Sequence, residues 1–261
     1  MNNKLKTGAI LGLAVLLGAC GALPRSQYSG DAMKSIKTII VETPPKTQYF
    51  AESVGASPII VLPGVGIAAA AAISATVGAL TPRDNPTFND LVTAQIGESD
   101  LNRRFFDQIE SALREQGYEV REVDGSAPDM PKTILQRGQI PKLEGAAYRG
   151  ADAIMAVAVK TGYYSAGVFE PYVRNVNVNI AIFKADTLKP IFRDRLLHYA
   201  MHDNAYNYSR FSDVTSDLPH AIHGIDEAMM NFVPEFDADM QASRGIPSPT
   251  ARTKDFGSML H

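Results

Sequence analysis

The sequence predicts an α/β domain, a two-layer or three-layer sandwich in which helices cover a mixed sheet of about five strands. Residues 153–159 are apolar at every position, which indicates a central strand buried on both faces. Residues 173–183 and 190–199 flank a short turn and resemble paired strands, which indicates an antiparallel hairpin. Apolar residues recur at helical spacing in 99–116 and in 213–233, so helices precede and follow these strands.

The first predicted element is a core strand at 37–42, where β-branched apolar residues run up to the break at Pro44. The clearest helix covers 99–116, because its apolar residues fall on one face and Gly117 stands just past its end. Residues 118–123 then alternate between polar and apolar side chains, and they predict a half-buried strand.

Two further helices are predicted in the second half of the chain. Residues 140–149 predict a short helix that begins near Pro141. The final helix has Pro219 near its first turn, and Pro234 is expected to end or kink it. Both helices are expected to cover the central strand and the hairpin.

Composition divides the chain into five parts. We expect a signal peptide at 1–19, a short tether at 20–35 and the α/β domain at 36–242, with an insertion at 53–98 and a flexible tail at 243–261. The chain has 25 basic and 28 acidic residues, which is not the electrostatic footprint of a nucleic-acid-binding protein.

The insertion begins with an Ala- and Gly-rich stretch, Ser53–Pro82, that contains no charged side chain. A helix over 66–80 would be about 22 Å long, which is shorter than the ~30 Å hydrocarbon core of a bilayer. An uncharged surface of this size is not expected to stay in water. We expect it to be buried inside the domain, buried against a subunit or partner, or inserted into the bilayer. The candidate contact residues are Ile67, Ala71, Ile73, Val77 and Leu80.

The first residues are typical of a secretory targeting segment. Lys4 and Lys6 form a positive start, and Thr7–Leu17 is an apolar stretch without charge. This stretch is shorter than the ~20 residues that a membrane-spanning helix needs. Cys20 is the only cysteine, so it cannot form a disulfide within the chain.

The residues Leu17, Gly18, Ala19 and Cys20 resemble the lipobox of bacterial lipoprotein signal peptides. The resemblance implies cleavage before Cys20 and attachment of acyl chains such as palmitate to that residue, which then anchors the protein on a membrane. Gly21 follows the cysteine, and by the sorting rule of enterobacterial lipoproteins this implies the periplasmic side of the outer membrane rather than the inner membrane.

A second resemblance concerns the domain itself. The run R-G-A-D-A-I-M-A-V-A-V from Arg149, followed by a long hairpin with an A-D-T turn, resembles a group of envelope lipoproteins. The group includes the curli secretion, polysaccharide-export and penicillin-binding-protein activator lipoproteins, and its fold is like the amino-terminal domain of the TolB translocation protein. The resemblance implies a scaffold without chemistry, which self-associates or binds an envelope protein.

Catalytic and metal-binding motifs are sparse. His220, His223 and Glu227 could hold a metal from one helical face, but two histidines without a third ligand are more typical of a solvated helix face. We found no phosphate loop, zinc cluster or paired-carboxylate motif in the sequence. We therefore expect no enzyme activity, no metal and no cofactor apart from the covalent lipid on Cys20.

Aromatic residues gather in two regions that flank the hairpin. They either cover the edge of the core or form an exposed surface that stacks on sugar rings or anchors a protein partner. The candidate ligand residues are Tyr163, Tyr164, Tyr206 and Tyr208. The expected function is a membrane-anchored, non-enzymatic scaffold or docking subunit of a cell-envelope assembly. The alternative is a periplasmic module that binds glycan or cell wall through these tyrosines.

Overall fold

One long strand, Ala153–Ser165, lies at the centre of the structure and is the seventh strand (β7) in chain order. Its first residues are apolar on both faces, and the structure confirms that it is a buried central strand. The computed structural model describes residues 26–53, 86–136, 139–167, 169–201, 203–248 and 253–255.

The described residues form one mixed sheet of eight strands and a separate two-stranded sheet. The order of the large sheet is β10-β1-β9-β8-β7-β2-β4, and β3 also pairs with β7. This confirms the predicted α/β class with a mixed sheet, although the sheet has more strands than the five expected. The strands other than β7 are β1 (Ser26–Tyr28), β2 (Thr38–Glu42), β3 (Tyr49–Ser53), β4 (Glu119–Val123), β5 (Lys132–Gln136), β6 (Gln139–Glu144), β8 (Val173–Lys184), β9 (Pro190–Tyr199) and β10 (Thr253–Asp255).

Helices pack on one face of the large sheet. The longest, α3, carries apolar residues at helical spacing, and Phe105, Ile109 and Leu113 are at most 1% exposed. They share a core with the alternate β8 residues Val176 and Val178. The helices of the described residues are α1 (Gly30–Ser35), α2 (Phe88–Ile96), α3 (Leu101–Glu115), α4 (Phe211–Ser216), α5 (Leu218–Met230) and α6 (Phe232–Ser243).

Strand β7 is paired along both of its edges. On one edge β8 runs antiparallel, in the predicted hairpin with β9. On the other edge β2 runs parallel beside residues 153–155, and β3 runs parallel beside residues 161–165. Side chains alternate along the strand, so Met155 and Tyr163 point to the helices while Ile154 points to the opposite face.

The β5–β6 hairpin covers part of the opposite face. Ile140 and Leu143 of β6 are buried in a second core with Ile154 and Phe183. The helix predicted at 140–149 is therefore wrong, because residues 139–144 form β6.

A β-bulge explains this error. A two-residue step on β5, from Ile134 to Gln136, faces a three-residue step on β6, from Lys142 to Gln139. The additional residue shifts the alternation by one, which turns Ile140 and Leu143 to the same face at a spacing of three. That spacing is typical of a helix, and Pro141 fits the bulge because proline donates no N–H to the ladder.

Several boundaries differ from those expected. The stretch expected as a tether contains β1 and α1, and three residues of the stretch expected as a tail form β10. Pro234 does separate two helices, since α5 ends at Met230 and Pro234 lies in the first turn of α6.

Some predictions concern residues outside the described ranges. These are the signal peptide, the lipobox with Cys20, and the contact residues Ile67, Ala71, Ile73, Val77 and Leu80. Within the described ranges, we found no helix with the length and apolarity needed to cross a membrane.

Gly162 provides a test of the β3–β7 contact. A Cβ atom added to Gly162 would lie 2.0 Å from the backbone oxygen of Phe50, so β3 could not keep its place in the sheet. We expect Gly162→Ala to lower the free energy of unfolding by about 1–3 kcal/mol in urea denaturation. Gly167→Ala is the control, because its nearest contact would be Glu170 Cγ at 3.6 Å. Equal stability of the two variants would contradict the assigned packing.

Candidate functional site

A row of asparagines lies on the sheet face that the β5–β6 hairpin partly covers; Asn175 and Asn177 are half-buried and Asn179 is buried. Asn175, Asn177 and Asn179 are alternate residues of β8, so their side chains share one face. Their cross-strand neighbours on β9 are Tyr199, Leu197 and Arg195, in that order. We call Tyr164, Asn175, Asn177, Asn179, Arg195, Leu197 and Tyr199 the asparagine patch.

The patch combines hydrogen-bonding groups with rings. The Asn179 amide donates to Asn177 Oδ1 at 3.1 Å, and the Tyr164 and Tyr199 rings meet edge to face at 6.2 Å. Leu197 is 47% exposed. Asparagine is depleted in strands, so three of them on one face of a strand inside the sheet are unfavourable for the strand itself. The half-buried Asn175 and Asn177 carry amides that can donate and accept hydrogen bonds, which suits contact with another molecule.

The four candidate tyrosines do not form one surface. Tyr163 follows β7 alternation to the helix side, where it is 0% exposed and donates from Oη to the Ala221 oxygen at 3.2 Å. Burial raises its pKa, so it stays a neutral donor. Its assignment to a ligand surface is therefore wrong, because adjacent strand residues point to opposite faces. Tyr164 lies in the asparagine patch.

Tyr206 and Tyr208 are half-buried on the helix side of the sheet. The Tyr208 ring meets Tyr163 edge to face at 5.5 Å, and its hydroxyl donates to Asp217 at 3.2 Å. Burial, followed by the negative charge of Asp217, raises the pKa of Tyr208 to about 12. These two tyrosines hold the 203–208 loop against α5.

A buried arginine organises that loop. The Arg174 side chain is 6% exposed and pairs with Asp203, and its second nitrogen donates to the Gly224 oxygen at 2.6 Å. Its guanidinium lies 4.0 Å from the centre of the Tyr206 ring. His220 stacks on that ring as well, at 4.6 Å, so Tyr206 lies between two side chains.

Gly224 makes room for this stack on α5. A Cβ atom there would lie 2.3 Å from Tyr206 Cδ1. On α5, the residues on either side of Gly224 also contact the loop. His220 Nε2 is 3.0 Å from the Ala205 oxygen, and Glu227 accepts a hydrogen bond from the Tyr206 hydroxyl at 3.0 Å. His220 and Glu227 thus hold the loop, and within the described part of the chain no three His, Cys, Asp or Glu side chains are grouped so that they could bind a metal ion.

A small cleft lies between the loop after β2 and the end of α2. It has a volume of about 110 Å³ and is mostly polar, with Lys46, Asn89 and Glu98 among its lining residues. Ligand sites usually enclose about 300–1,000 Å³, so this cleft is too small for such a ligand. At its wall the Tyr49 and Ser99 hydroxyls are 2.8 Å apart, which ties β3 to the turn before α3.

Comparisons with known proteins gave no family. No family model and no curated protein matches the chain. A crystal structure of a Xanthomonas campestris protein of family DUF330 is similar at 9% identity and a TM-score of 0.37, over 83% of this chain and 87% of that one. A PelC dodecamer from Paraburkholderia phytofirmans is similar at 11% identity and a TM-score of 0.23, over 76% and 90%. Likenesses this low do not identify a relative.

Replacing Arg174 tests the buried cluster. Arg174→Ala leaves the Asp203 carboxylate without its cation and removes the support under Tyr206. We expect the free energy of unfolding to fall by about 2–3 kcal/mol, less than for a fully buried pair because Asp203 is 25% exposed. Arg195→Ala on the exposed patch is the matched control, with an expected change of about 0.5 kcal/mol or less. A similar loss in both variants would contradict the role of Arg174.

His198 should make stability depend on pH. Burial, followed by the nearby Arg174 charge, lowers the pKa of His198 below its ordinary value of about 6.5. The unfolded chain therefore takes up the proton first, so this contribution to stability is present above about pH 6.5 and is lost as the pH falls toward the folded-state pKa. We expect urea unfolding of wild type and His198→Gln at pH 7.5 and pH 5.5 to show a smaller loss in the variant. An identical loss would contradict this assignment.

Proposed function

We propose that this protein is a lipoprotein of the bacterial cell envelope, anchored through Cys20 and acting as a non-enzymatic docking subunit. The observation that carries the proposal is the order of features before Cys20: two lysines, an uncharged apolar stretch, and small residues just before the only cysteine. A thiol that has no disulfide partner in the chain and follows such a stretch is suited to carry lipid.

The asparagine patch supports the docking part of the proposal. It spans three strands and about five residues of β8, or about 10 Å by 14 Å. A stable protein interface buries about 800 Å² on each partner, so the patch would form only the centre of one. Amides, tyrosine rings and the exposed Arg195 and Leu197 give it the mixed polar and apolar character of a non-obligate interface.

The glycan-binding alternative loses the surface that it required. Tyr163 is buried, and Tyr206 is held between Arg174 and His220. Tyr164 and Tyr199 meet at 61° rather than side by side, so they do not form a flat platform for a sugar ring. A protein of the envelope is therefore the partner that we propose.

Metabolic labelling tests the anchor. In a Gram-negative host fed with alkyne-tagged palmitate, we expect label on the wild-type chain and a loss of label in Cys20→Ser. Ser29→Ala is the matched control, because it keeps the cysteine and the residues before it. Equal labelling of Cys20→Ser and wild type, or no label on either, would rule out lipid attachment at this residue.

Photo-crosslinking in living cells tests the docking surface. A benzophenone amino acid at position 177, in place of Asn177, should give a discrete crosslinked product that mass spectrometry identifies as an envelope protein. The control position is Glu115, which is exposed on the helix side of the domain. The docking role of the patch would be refuted by no product from position 177, or by the same products from both positions.

A further inference from the structure

Exposed apolar side chains gather at one end of the sheet. At this end β3, β7 and β9 finish and β8 begins. Phe169, in the loop between β7 and β8, is 100% exposed; Met201, just after β9, is 50% exposed; and Phe211, at the start of α4, is 37% exposed. We call these three residues the aromatic end.

Buried rings hold this end in place. The Phe211 ring lies 6.0 Å from Phe88 and 5.9 Å from Tyr172, and Phe88 in turn meets Tyr163. Tyr172 and Tyr208 exchange backbone hydrogen bonds of 2.7 Å and 3.0 Å, which join the loop before β8 to the loop after β9. Phe211 is therefore held by neighbouring rings, and the two loops that carry Phe169 and Met201 are joined to each other.

The direction of β1 connects this end to the amino terminus. Strand β1 runs antiparallel to β9, with Ser26 opposite Asp194 and Tyr28 opposite Phe192. Because the two strands are antiparallel, the amino-terminal end of β1 lies on the same side as the carboxyl-terminal end of β9, where Tyr199 and the aromatic end are found. Cys20 is six residues before Ser26, a reach of about 20 Å at most. Tyr199 is five residues beyond Asp194, so the chain is long enough for Cys20 to reach the level of the aromatic end.

The described residues that flank the uncharged stretch also lie here. Ser53 pairs with Ser165, the last residue of β7, and Phe88 packs against Phe211. Exposed charges near the aromatic end are mixed in sign, with Glu170 beside Phe169 and Arg210 beside Phe211. Aromatic rings with charges of both signs around them suit the boundary between lipid headgroups and acyl chains.

We propose that the aromatic end is a membrane-contact surface and that Phe169 inserts into the lipid headgroup region. The proposal rests on the proposed function to the extent that lipid on Cys20 provides the attachment. One phenylalanine and two partly exposed side chains are too few to hold the domain on a bilayer alone. Their effect is to orient the anchored domain, with this end against the lipid and the asparagine patch facing sideways.

Tryptophan fluorescence tests the contact, because the chain contains no Trp. Phe169→Trp places the only indole at a fully exposed position, where the change leaves packing intact. The mature protein is reconstituted into vesicles of phosphatidylethanolamine and phosphatidylglycerol, with or without acyl chains brominated near the headgroup. We expect a blue-shifted spectrum and quenching by roughly half, because interfacial side chains lie about 5–10 Å deep.

The control is Ile96→Trp. Ile96 is 43% exposed and lies about 12 Å along α2 from Phe88, away from the aromatic end. We expect no quenching at this position. Equal quenching of both variants, or no quenching at position 169, would overturn the proposal. A blue shift at position 169 that grows with protein density and is insensitive to bromine would also overturn it, since a second copy would then cover the surface.

A second arm separates this proposal from the anchor. If Cys20 carries no lipid, its thiol can be coupled to a maleimide-headgroup lipid in the same vesicles, because it is the only cysteine. Quenching at position 169 in the coupled protein supports the membrane-contact surface even where the palmitate experiment has refuted native lipidation. The absence of quenching there refutes the contact independently of the anchor.

Discussion

The pairing of β7 is the constraint on which the rest of the structure depends. Twelve of its thirteen residues, Ala153 to Tyr164, pair with β8 along one edge, while β2 and then β3 occupy the other. After β2 the chain moves away from the edge of β7, and it returns to that edge at Tyr49, where β3 begins. Helix α3 holds the loop between β2 and β3. The backbone N–H of Asn102 donates to Thr47 at 2.9 Å, and its amide donates to the Pro45 oxygen at 3.1 Å. This arrangement fixes which β7 residues face the helices and brings β3 to the aromatic end.

The sequence predicted the strongly patterned elements correctly. Strand β7, the β8–β9 hairpin and α3 are long, and their apolar residues repeat with a clear period, so tertiary contacts did not override the pattern. Strand β6 was missed because a bulge gives Ile140 and Leu143 a helical spacing. Strands β1 and β10 have three residues each, which is too short for a repeating pattern of apolar residues. They form because β1 pairs with the edge of β9 and β10 pairs with β1.

The site was harder to predict than the fold. Tyr163 and Tyr164 are adjacent and alike, and only the sheet register decides that one is buried and the other lies in the asparagine patch. The asparagines were visible in the sequence as the polar half of an alternating strand. Whether they can form a surface depends on how much of the sheet face away from the helices is covered. The position of the β5–β6 hairpin on that face decides this. The stack on Tyr206 joins residues 174, 206 and 220. These residues are too far apart in the sequence for a local pattern to reveal their contact.

The proposed lipid on Cys20, the aromatic end near the amino-terminal end of β1, and the asparagine patch at the side together specify one orientation of the domain on a membrane. A contact that orients the domain gives the aromatic end a separate role, because lipid on a single residue does not by itself decide which face of the domain a partner meets.

Hydrogen–deuterium exchange of the anchored protein tests this orientation most directly. We expect slower amide exchange on vesicles than in detergent for residues 166–172 and 200–211, with no change for the β5–β6 hairpin at 132–144. Slower exchange in the hairpin with no change at the aromatic end would contradict the proposed orientation.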